Sequence, residues 1–202
     1  MRYYNVREKL ISSTISVLAQ GGFEKTTTKT IAKEVEIPEA YIYRYFSNKE
    51  ELLKNAFDSL DCELVCILTK QTGIMLAHEF DAESRSRLIF TSVWRFLLGN
   101  KEKCIAFIRY FYSPYFKLYS EHDHRERYTP LVKACREIFN PKANVWMLLN
   151  HILNVMLDFA IKVFDGIVPD NEDTAEHVFR LVYFSVSPYF GCNSHRKEKD
   201  AL

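Results

Sequence analysis

Residues 26–53, TTTKTIAKEVEIPEAYIYRYFSNKEELL, indicate the fold more clearly than any other stretch of the chain. Their hydrophobic spacing predicts a short helix, a tight turn, and a second short helix that begins near Pro38, where the missing N–H of proline does no harm. Ser47 and Glu50 have the spacing of a capping box and predict the start of a third, longer helix. Two short helices joined by a tight turn form a helix-turn-helix, a motif that places its second helix in a DNA groove.

The second short helix carries aromatic and basic side chains that suit a DNA groove. Tyr41, Arg44 and Tyr45 lie within about one turn of helix, and an arginine can donate two hydrogen bonds to a guanine edge. Hydroxyls and ammonium groups near helix N-termini suit phosphates, and the candidates of this kind are Thr27, Tyr43 and Lys49, while Lys29 is a further candidate for contact with DNA. The alternative is that the rings only pack this helix against its neighbours. For Phe46 we expect that alternative, because a phenyl ring fits a core well.

Nearly all of the remaining chain also has helical periodicity, and no segment alternates convincingly with the period of a strand. Gly21 and Gly22 predict the end of a first helix, since glycine tolerates the left-handed backbone found at many helix C-termini. The other predicted helices, besides those of the N-terminal stretch, cover about residues 3–20, 84–99, 102–120, 125–139, 141–165 and 171–188. We therefore expect an all-α fold of about nine helices.

The composition excludes several classes of protein. An apolar share of 48% is ample for a core and argues against a disordered chain. No uninterrupted apolar run reaches the ~18 residues of a membrane span, and the N-terminus lacks the apolar stretch of a signal peptide. Five scattered cysteines favour reduced thiols over a disulfide framework. We therefore expect a cytoplasmic protein that does not contact a membrane, in which Cys62 and Cys66 pack within a helix.

The charge of the chain is low for a nucleic-acid-binding protein. The formal net charge is +1, and residues 1–54 carry nine basic against seven acidic side chains. A strong basic stripe, the usual electrostatic footprint of a DNA-binding surface, is therefore missing. Binding to DNA would have to depend on a few well-placed contacts and on a dimer that doubles them.

The N-terminal residues resemble the signature of the TetR family of transcriptional regulators over about residues 8–55. The resemblance depends on Gly22-Phe23, Thr26-Thr27, Ile31-Ala32-Lys33-Glu34, Ile42-Tyr43-Arg44-Tyr45-Phe46 and Lys49-Glu50-Glu51-Leu52. It implies a three-helix DNA-binding domain over residues 1–54, and a helical ligand-binding and dimerisation domain over residues 55–202. It also implies that Pro38, Glu39 and Ala40 face the DNA together with Tyr41 and Arg44, while Thr27, Tyr43 and Lys49 hold phosphates.

One residue departs from the family pattern. The family usually has a glycine in the turn between the two short helices, and this chain has Glu36. A residue with a Cβ must adopt a less favourable backbone there, at a cost of about 1 kcal/mol. The carboxylate also places a negative charge close to the expected DNA surface.

The C-terminal part predicts a ligand site and a dimer interface. Aromatic and polar side chains suit a pocket for a largely apolar or aromatic small molecule. The candidates are Trp94, Tyr110, Tyr112, Phe116, Trp146, Asn150, His151, Asn154 and Asp158. The apolar helices over 145–164 and 171–188 could pair with those of a second copy, although a monomer that buries both is the alternative.

The function expected from these features is transcriptional regulation. A homodimer would bind a palindromic double-stranded DNA operator, most simply as a repressor, and a small-molecule effector would release it. The alternative is a helical ligand-binding dimer with weak or lost DNA binding. An enzyme is not expected, since nucleotide-binding and nucleophile motifs are absent from the sequence. No cofactor or metal is expected either, and His122-Asp123-His124 reads as a solvated turn rather than a metal site.

Overall fold

The computed structural model describes residues 2–77 and 79–191, with side chains described from Val6 onward. Within these residues the fold is all helical, as predicted, with nine α-helices and an isolated antiparallel bridge between Phe139 and Phe190. The α-helices are α1 (Arg2–Lys25), α2 (Thr28–Glu34), α3 (Lys49–Lys70), α4 (Thr72–Met75), α5 (Ala82–Leu98), α6 (Lys101–Phe111), α7 (Glu121–Cys135), α8 (Val145–Phe164) and α9 (Glu172–Val186). The 3-10 segments Glu39–Arg44 and Ser187–Tyr189 and the π-helical segment Phe116–Ser120 connect or extend them.

Two helix ends follow directly from the backbone chemistry of single residues. Gly22 has φ 66° and produces the predicted break near the end of α1. The predicted helix over 102–120 is wrong in its length, because α6 ends at Phe111 and the π-helical segment begins only at Phe116. The interruption falls at residues 112 and 113, and helical backbone resumes at Pro114, whose ring disfavours a helical backbone at the preceding residue.

The start of α3 differs from the prediction by one residue. Asn48 Oδ1 accepts a hydrogen bond from Glu51 N at 2.8 Å, and Glu51 Oε2 accepts one from Ser47 N at 2.6 Å. The predicted pair of Ser47 and Glu50 is therefore wrong: Asn48 caps the helix, and Glu51 bonds back to the residue before the cap. These bonds to Ser47 hold the pKa of the Glu51 carboxyl below its usual range.

The chain folds as two compact units. The first contains the residues up to Leu64 together with Glu102–Arg127. The predicted boundary at residue 54 is not where the contacts separate, since Phe57 lies beyond it and stacks on Tyr110 and Phe107 at centroid distances of 4.6 and 5.3 Å. These rings join α3 to α6, so the helix-turn-helix and the aromatic cluster behind it share one unit.

The second unit contains Val65–Lys101 and the described residues from Tyr128 onward. Its core forms where α5, α8 and α9 pack together. Val93, Met156, Ala160 and Val178 are buried there. The ion pair of Arg87 with Glu176 connects the surfaces of α5 and α9.

Helix α8 stands out by its apolar surface. Among the described residues it is the helix whose length and composition would allow it to cross a membrane. Of its most apolar 18 residues, 22% are buried within this chain. One such helix is weak support for a membrane span, because core helices meet the same criteria. Most of its apolar side chains are half-buried or buried, and Met147 is 65% exposed.

Candidate functional site

A small hydrophobic core holds the two short helical elements of the helix-turn-helix. Ile31 and Ala32 of α2 lie in one cluster with Ile42 and Phe46, and all four are at most 2% exposed. Thr27 caps α2, with its hydroxyl accepting a hydrogen bond from Thr30 N at 3.1 Å. Phe46 is a core residue, as predicted. The burial of these side chains fixes which faces of α2 and of Glu39–Arg44 remain open to solvent.

The open face of Glu39–Arg44 carries the predicted DNA-contacting side chains. The 3-10 turn directs Ile42 into the core and leaves its neighbours Tyr43 and Arg44 exposed. The guanidinium of Arg44 lies 4.3 Å from the ring centroid of Tyr41, in a cation–π arrangement. Tyr41 in turn lies 5.9 Å from the ring of Tyr45. The two tyrosines and the arginine therefore form one continuous surface cluster.

None of the ten predicted DNA-binding residues is fully buried. The exposed ones are Thr27, Lys29, Pro38, Glu39, Ala40, Tyr43 and Arg44. Tyr41, Tyr45 and Lys49 are half-buried, and Tyr45 also packs against the core cluster. Glu39 accepts a hydrogen bond from the hydroxyl of Thr28, which links the start of the 3-10 helix to α2.

The turn that joins the two elements contains the expected backbone strain. Glu36 has φ 58°, and among the described residues it is the non-glycine with a positive φ. The left-handed backbone lets Ile37 N donate to Ala32 O at 3.0 Å, which closes the turn. The sequence-based interpretation of this position is therefore confirmed.

Three of the nine predicted ligand residues lie in the first unit. Tyr110 is 1% exposed, stacks on Phe57, and its hydroxyl lies 3.0 Å from Ser120 Oγ. Burial raises the pKa of the Tyr110 phenol. Phe116 contacts Phe57 edge to face at 5.5 Å, whereas the side chain of Tyr112 is exposed. Tyr110 and Phe116 thus pack in the aromatic core behind the helix-turn-helix.

The other six lie in the second unit and do not surround one space. Trp94 is buried against Phe90, and Trp146 packs edge to face on Tyr128. The four polar candidates line up along the outer part of α8. Asn150 donates to Trp146 O, His151 bonds to Ser185 Oγ, Asp158 accepts from Lys162, and Asn154 is exposed.

A cavity of about 120 Å³ lies within the second unit. Its walls come from α5, α8 and α9 with the ends of α3, α4 and α7, and none of the nine predicted ligand residues lines it. The lining is aliphatic and aromatic except for a few polar groups, of which Arg85 alone is charged. The sequence signal for this wall is the helical spacing of Ala82, Arg85, Ile89 and Val93, in which an arginine occupies a position of the apolar face.

Metal and thiol chemistry receive little support from the geometry. Among the described residues, no group of three or more His, Cys, Asp or Glu side chains could hold a metal ion. His124 is buried and lies 2.9 Å from Asp61, so it belongs to an ion-pair network and not to a solvated turn as predicted.

Cys62 and Cys66 are free and exposed, which differs from the predicted packing. Cys104 and Cys135 are buried, and burial raises their thiol pKa values to about 12 and about 11, while Cys192 lies outside the described residues.

Comparison with known proteins places the helix-turn-helix in a family. Residues 10–56 match the family model of bacterial regulatory proteins, tetR family. Over 54 residues the chain is 30% identical to the biofilm operon icaADBC HTH-type negative transcriptional regulator IcaR of Staphylococcus epidermidis, a match that covers 27% of this chain and 29% of the relative. The chain thus aligns with less than half of the length of the curated relatives that it matches.

The whole fold has close neighbours among solved structures. A TetR family transcription regulator from Marinobacter aquaeolei superposes with a TM-score of 0.75 at 18% identity, over 92% of this chain and 98% of the other. The transcriptional regulator FadR from Bacillus subtilis, in complex with stearoyl-CoA, gives a TM-score of 0.64 at 17% identity, over 87% and 96%. At 18% and 17% identity, the structural similarity shows that this chain and these proteins share a fold. The chain therefore resembles the tetR family of bacterial regulatory proteins over residues 10–56, and it shares the fold of solved TetR family structures.

Proposed function

We propose that the protein is a dimeric transcriptional repressor that binds a palindromic operator in the cytoplasm and is released by a small, largely apolar ligand. The observation that carries this proposal is that Tyr43 and Arg44 are exposed, with Arg44 stacked on the half-buried Tyr41, on a helix-turn-helix of family type. The matched relative is a negative transcriptional regulator, which supports repression over activation. The role is regulatory, and no catalytic step is proposed.

Arg44 is the side chain best placed to determine sequence specificity. Its guanidinium rests on the ring of Tyr41, so the side chain loses less freedom when it binds a base edge. Two hydrogen bonds from arginine to one guanine provide roughly 1–3 kcal/mol of discrimination. Pro38, Glu39 and Ala40 would approach the same groove, because they lie exposed at the start of the same element.

The remaining contacts would go to phosphates on either side of the groove. Tyr43 is 54% exposed, and Lys49 begins α3. Thr27 lies at the N-terminus of α2, where backbone N–H groups and the helix dipole also attract an anion. Lys29 adds a positive charge on the first turn of that helix.

The dimer would form through α8 and α9. Three large apolar side chains on these helices are exposed: Met147 of α8 (65%), and Leu181 (54%) and Phe184 (62%) of α9. Exposed apolar side chains that lie together often mark an interaction site. His151 and Ser185 bridge the same two helices on the outside. A second copy that covers this face would produce a four-helix interface with a polar stripe along it.

The effector would bind in the cavity of the second unit. The FadR neighbour was crystallised with an acyl-CoA, so the fold can hold a ligand with a long apolar part. Leu68, in the last turns of α3, lines the cavity, and the same helix begins at Lys49 beside the DNA-contacting residues. Movement of α3 would therefore connect ligand binding to the DNA surface. The ligand can shift this equilibrium only by its differential affinity for the two shapes.

The proposal is tested by selecting duplexes from random DNA and measuring the affinity of the full chain for the selected sequence by fluorescence anisotropy. Tyr43→Phe and Lys49→Ala should each weaken binding to selected and scrambled DNA alike, because phosphate contacts carry no sequence information. Lys142→Ala, an exposed change in the second unit, is the matched control and should bind like the wild type. Binding that survives the changes at Tyr43 and Lys49 would remove this surface from the interface.

A ligand-binding dimer with weak or lost DNA binding is the second candidate. The strained Glu36 turn and the excess of only two basic charges over residues 1–54 favour it. Selection that enriches no duplex, from protein that is folded and dimeric, would decide for this alternative.

A further inference from the structure

Arg85 is the charged residue in the lining of the cavity of the second unit. It lies on α5 among apolar side chains, lines the cavity, and is 6% exposed. Its Nη1 donates a hydrogen bond to the carbonyl oxygen of Met75 at 2.8 Å. Its Nε is buried and has no hydrogen-bond partner in the described part of the chain. One donor of the guanidinium is thus held by the backbone, and another lacks an acceptor.

No protein anion neutralises this guanidinium within the described residues. None of the ion pairs found there includes Arg85, and the lining of the cavity contains no aspartate or glutamate. Cys135 also lines the cavity, but burial raises its pKa to about 11, so the thiol is neutral near neutral pH. Arginine keeps its charge in proteins. Within the part of the chain that the structure describes, the cavity therefore contains a buried positive charge without a counter-ion.

A buried charge of this kind is costly unless it is paired and hydrogen-bonded. A carboxylate from a ligand would supply both the opposite charge and an acceptor for Nε. The rest of the cavity surface is mainly apolar, with Ile89, Leu149 and Met156 among its walls, and suits the apolar part of such a ligand. The arrangement of one cation in an apolar cavity is complementary to an amphipathic acid.

We propose that the cavity binds a medium-chain carboxylic acid, with its carboxylate on Arg85 and its apolar chain against α5, α8 and α9. The cavity of about 120 Å³ is close to the size of an engineered cavity of ~150 Å³ that accommodates benzene, so a chain of moderate length fits better than a long one. This assignment names the ligand class of the proposed regulatory site and rests on that function.

The test compares octanoate with 1-octanol, which has the same number of carbons and no charge. Binding of each to the full chain is measured at neutral pH by calorimetry, for the wild type, Arg85→Met and Arg95→Met. Arg95 is exposed on the same helix and supplies the matched control. Hydrogen bonds to a charged group predict that the wild type and Arg95→Met bind octanoate about 10- to 100-fold more tightly than octanol. Arg85→Met should lose this preference and keep its affinity for octanol.

Two outcomes would overturn the assignment: wild-type protein that binds neither compound or binds both equally, and Arg85→Met protein that still prefers the acid. If Arg85→Met does not fold, Arg85→Lys replaces it and should reduce the preference, since an ammonium retains the charge without the planar fork of donors. An unchanged preference in that variant also counts against the assignment. Operator binding by the same samples is measured separately, so that loss of the proposed regulatory function and loss of the acid preference are distinguishable.

Discussion

Replacing Glu36 with glycine should stabilise the protein. At φ 58° a side chain with a Cβ costs about 1–2 kcal/mol relative to the right-handed backbone, whereas glycine adopts this conformation freely. Glycine loses roughly 0.5–1 kcal/mol more backbone entropy on folding, which offsets part of the gain. The expected net increase in the free energy of unfolding is about 0.5–1 kcal/mol, or a rise in Tm of roughly 1–4 °C for a chain of this size.

The matched variant Glu36→Gln separates backbone strain from charge. It removes the carboxylate but keeps the Cβ, and a surface change of this kind should alter stability by less than about 0.5 kcal/mol. Both variants should bind DNA more tightly, by a factor of about two, since one negative charge at ~10 Å from a phosphate costs ~0.4 kcal/mol in water. Thermal unfolding and anisotropy titration measure the two effects. A glutamine variant as stabilised as the glycine variant would refute the role of backbone strain.

Three further changes test the rest of the fold. Asp61 is fully buried beside His124, so Asp61→Asn should lower the free energy of unfolding in urea by about 3 kcal/mol. The Glu176 pKa is lowered to about 2 by hydrogen bonds from Arg87 and Arg180, so its contribution to stability is present above its ordinary pKa of 4.5 and is lost as the pH falls through 2. Glu176→Gln should therefore lower Tm at neutral pH, with a difference that vanishes over that acidic range. Phe184→Glu should convert the dimer to a monomer in analytical ultracentrifugation, because it places a charge on the open face of α9.

Each of these predictions has an outcome that contradicts it. A loss below ~1 kcal/mol in Asp61→Asn would mean that the buried pair contributes little more than a surface pair. A Tm difference for Glu176→Gln that persists below pH 2 would assign its effect to packing rather than charge. Leu118→Glu, at a position that is 70% exposed in the first unit, is the control for Phe184→Glu and should leave the dimer intact.

The helix-turn-helix could be predicted from the sequence because its signals are local. Glu36 was recognisable as strained because the turn requires a left-handed residue, and Phe46 was recognisable as core because a phenyl ring has no polar partner to offer. The capping pair was harder. Ser47 and Asn48 are both good caps, and Glu50 and Glu51 both follow at a suitable spacing, so only the tertiary context selects Asn48 with Glu51.

The cavity of the second unit could not be predicted in the same way. Tyr110 and Phe116 are aromatic, and composition cannot distinguish a ring in a protein core from one in a binding site. Asn154 and Asp158 interrupt an apolar helix, but whether that face meets a cavity, solvent or a second copy depends on packing beyond the helix. Residue type alone does not single out Arg85, because charged residues are common on exposed faces. Its position in the apolar repeat of α5 was the available signal.

The most direct test of the central claim is an anisotropy titration of the full chain against DNA from upstream of its own gene and against a scrambled duplex of equal length, across a salt series. The account predicts tighter binding to the upstream DNA, with an affinity that falls steeply as salt rises because lysine and arginine contacts displace counter-ions. It also predicts that Arg44→Ala removes most of the preference between the two duplexes. Failure to bind any duplex, by protein that is folded and dimeric, would contradict the assignment as a DNA-binding regulator.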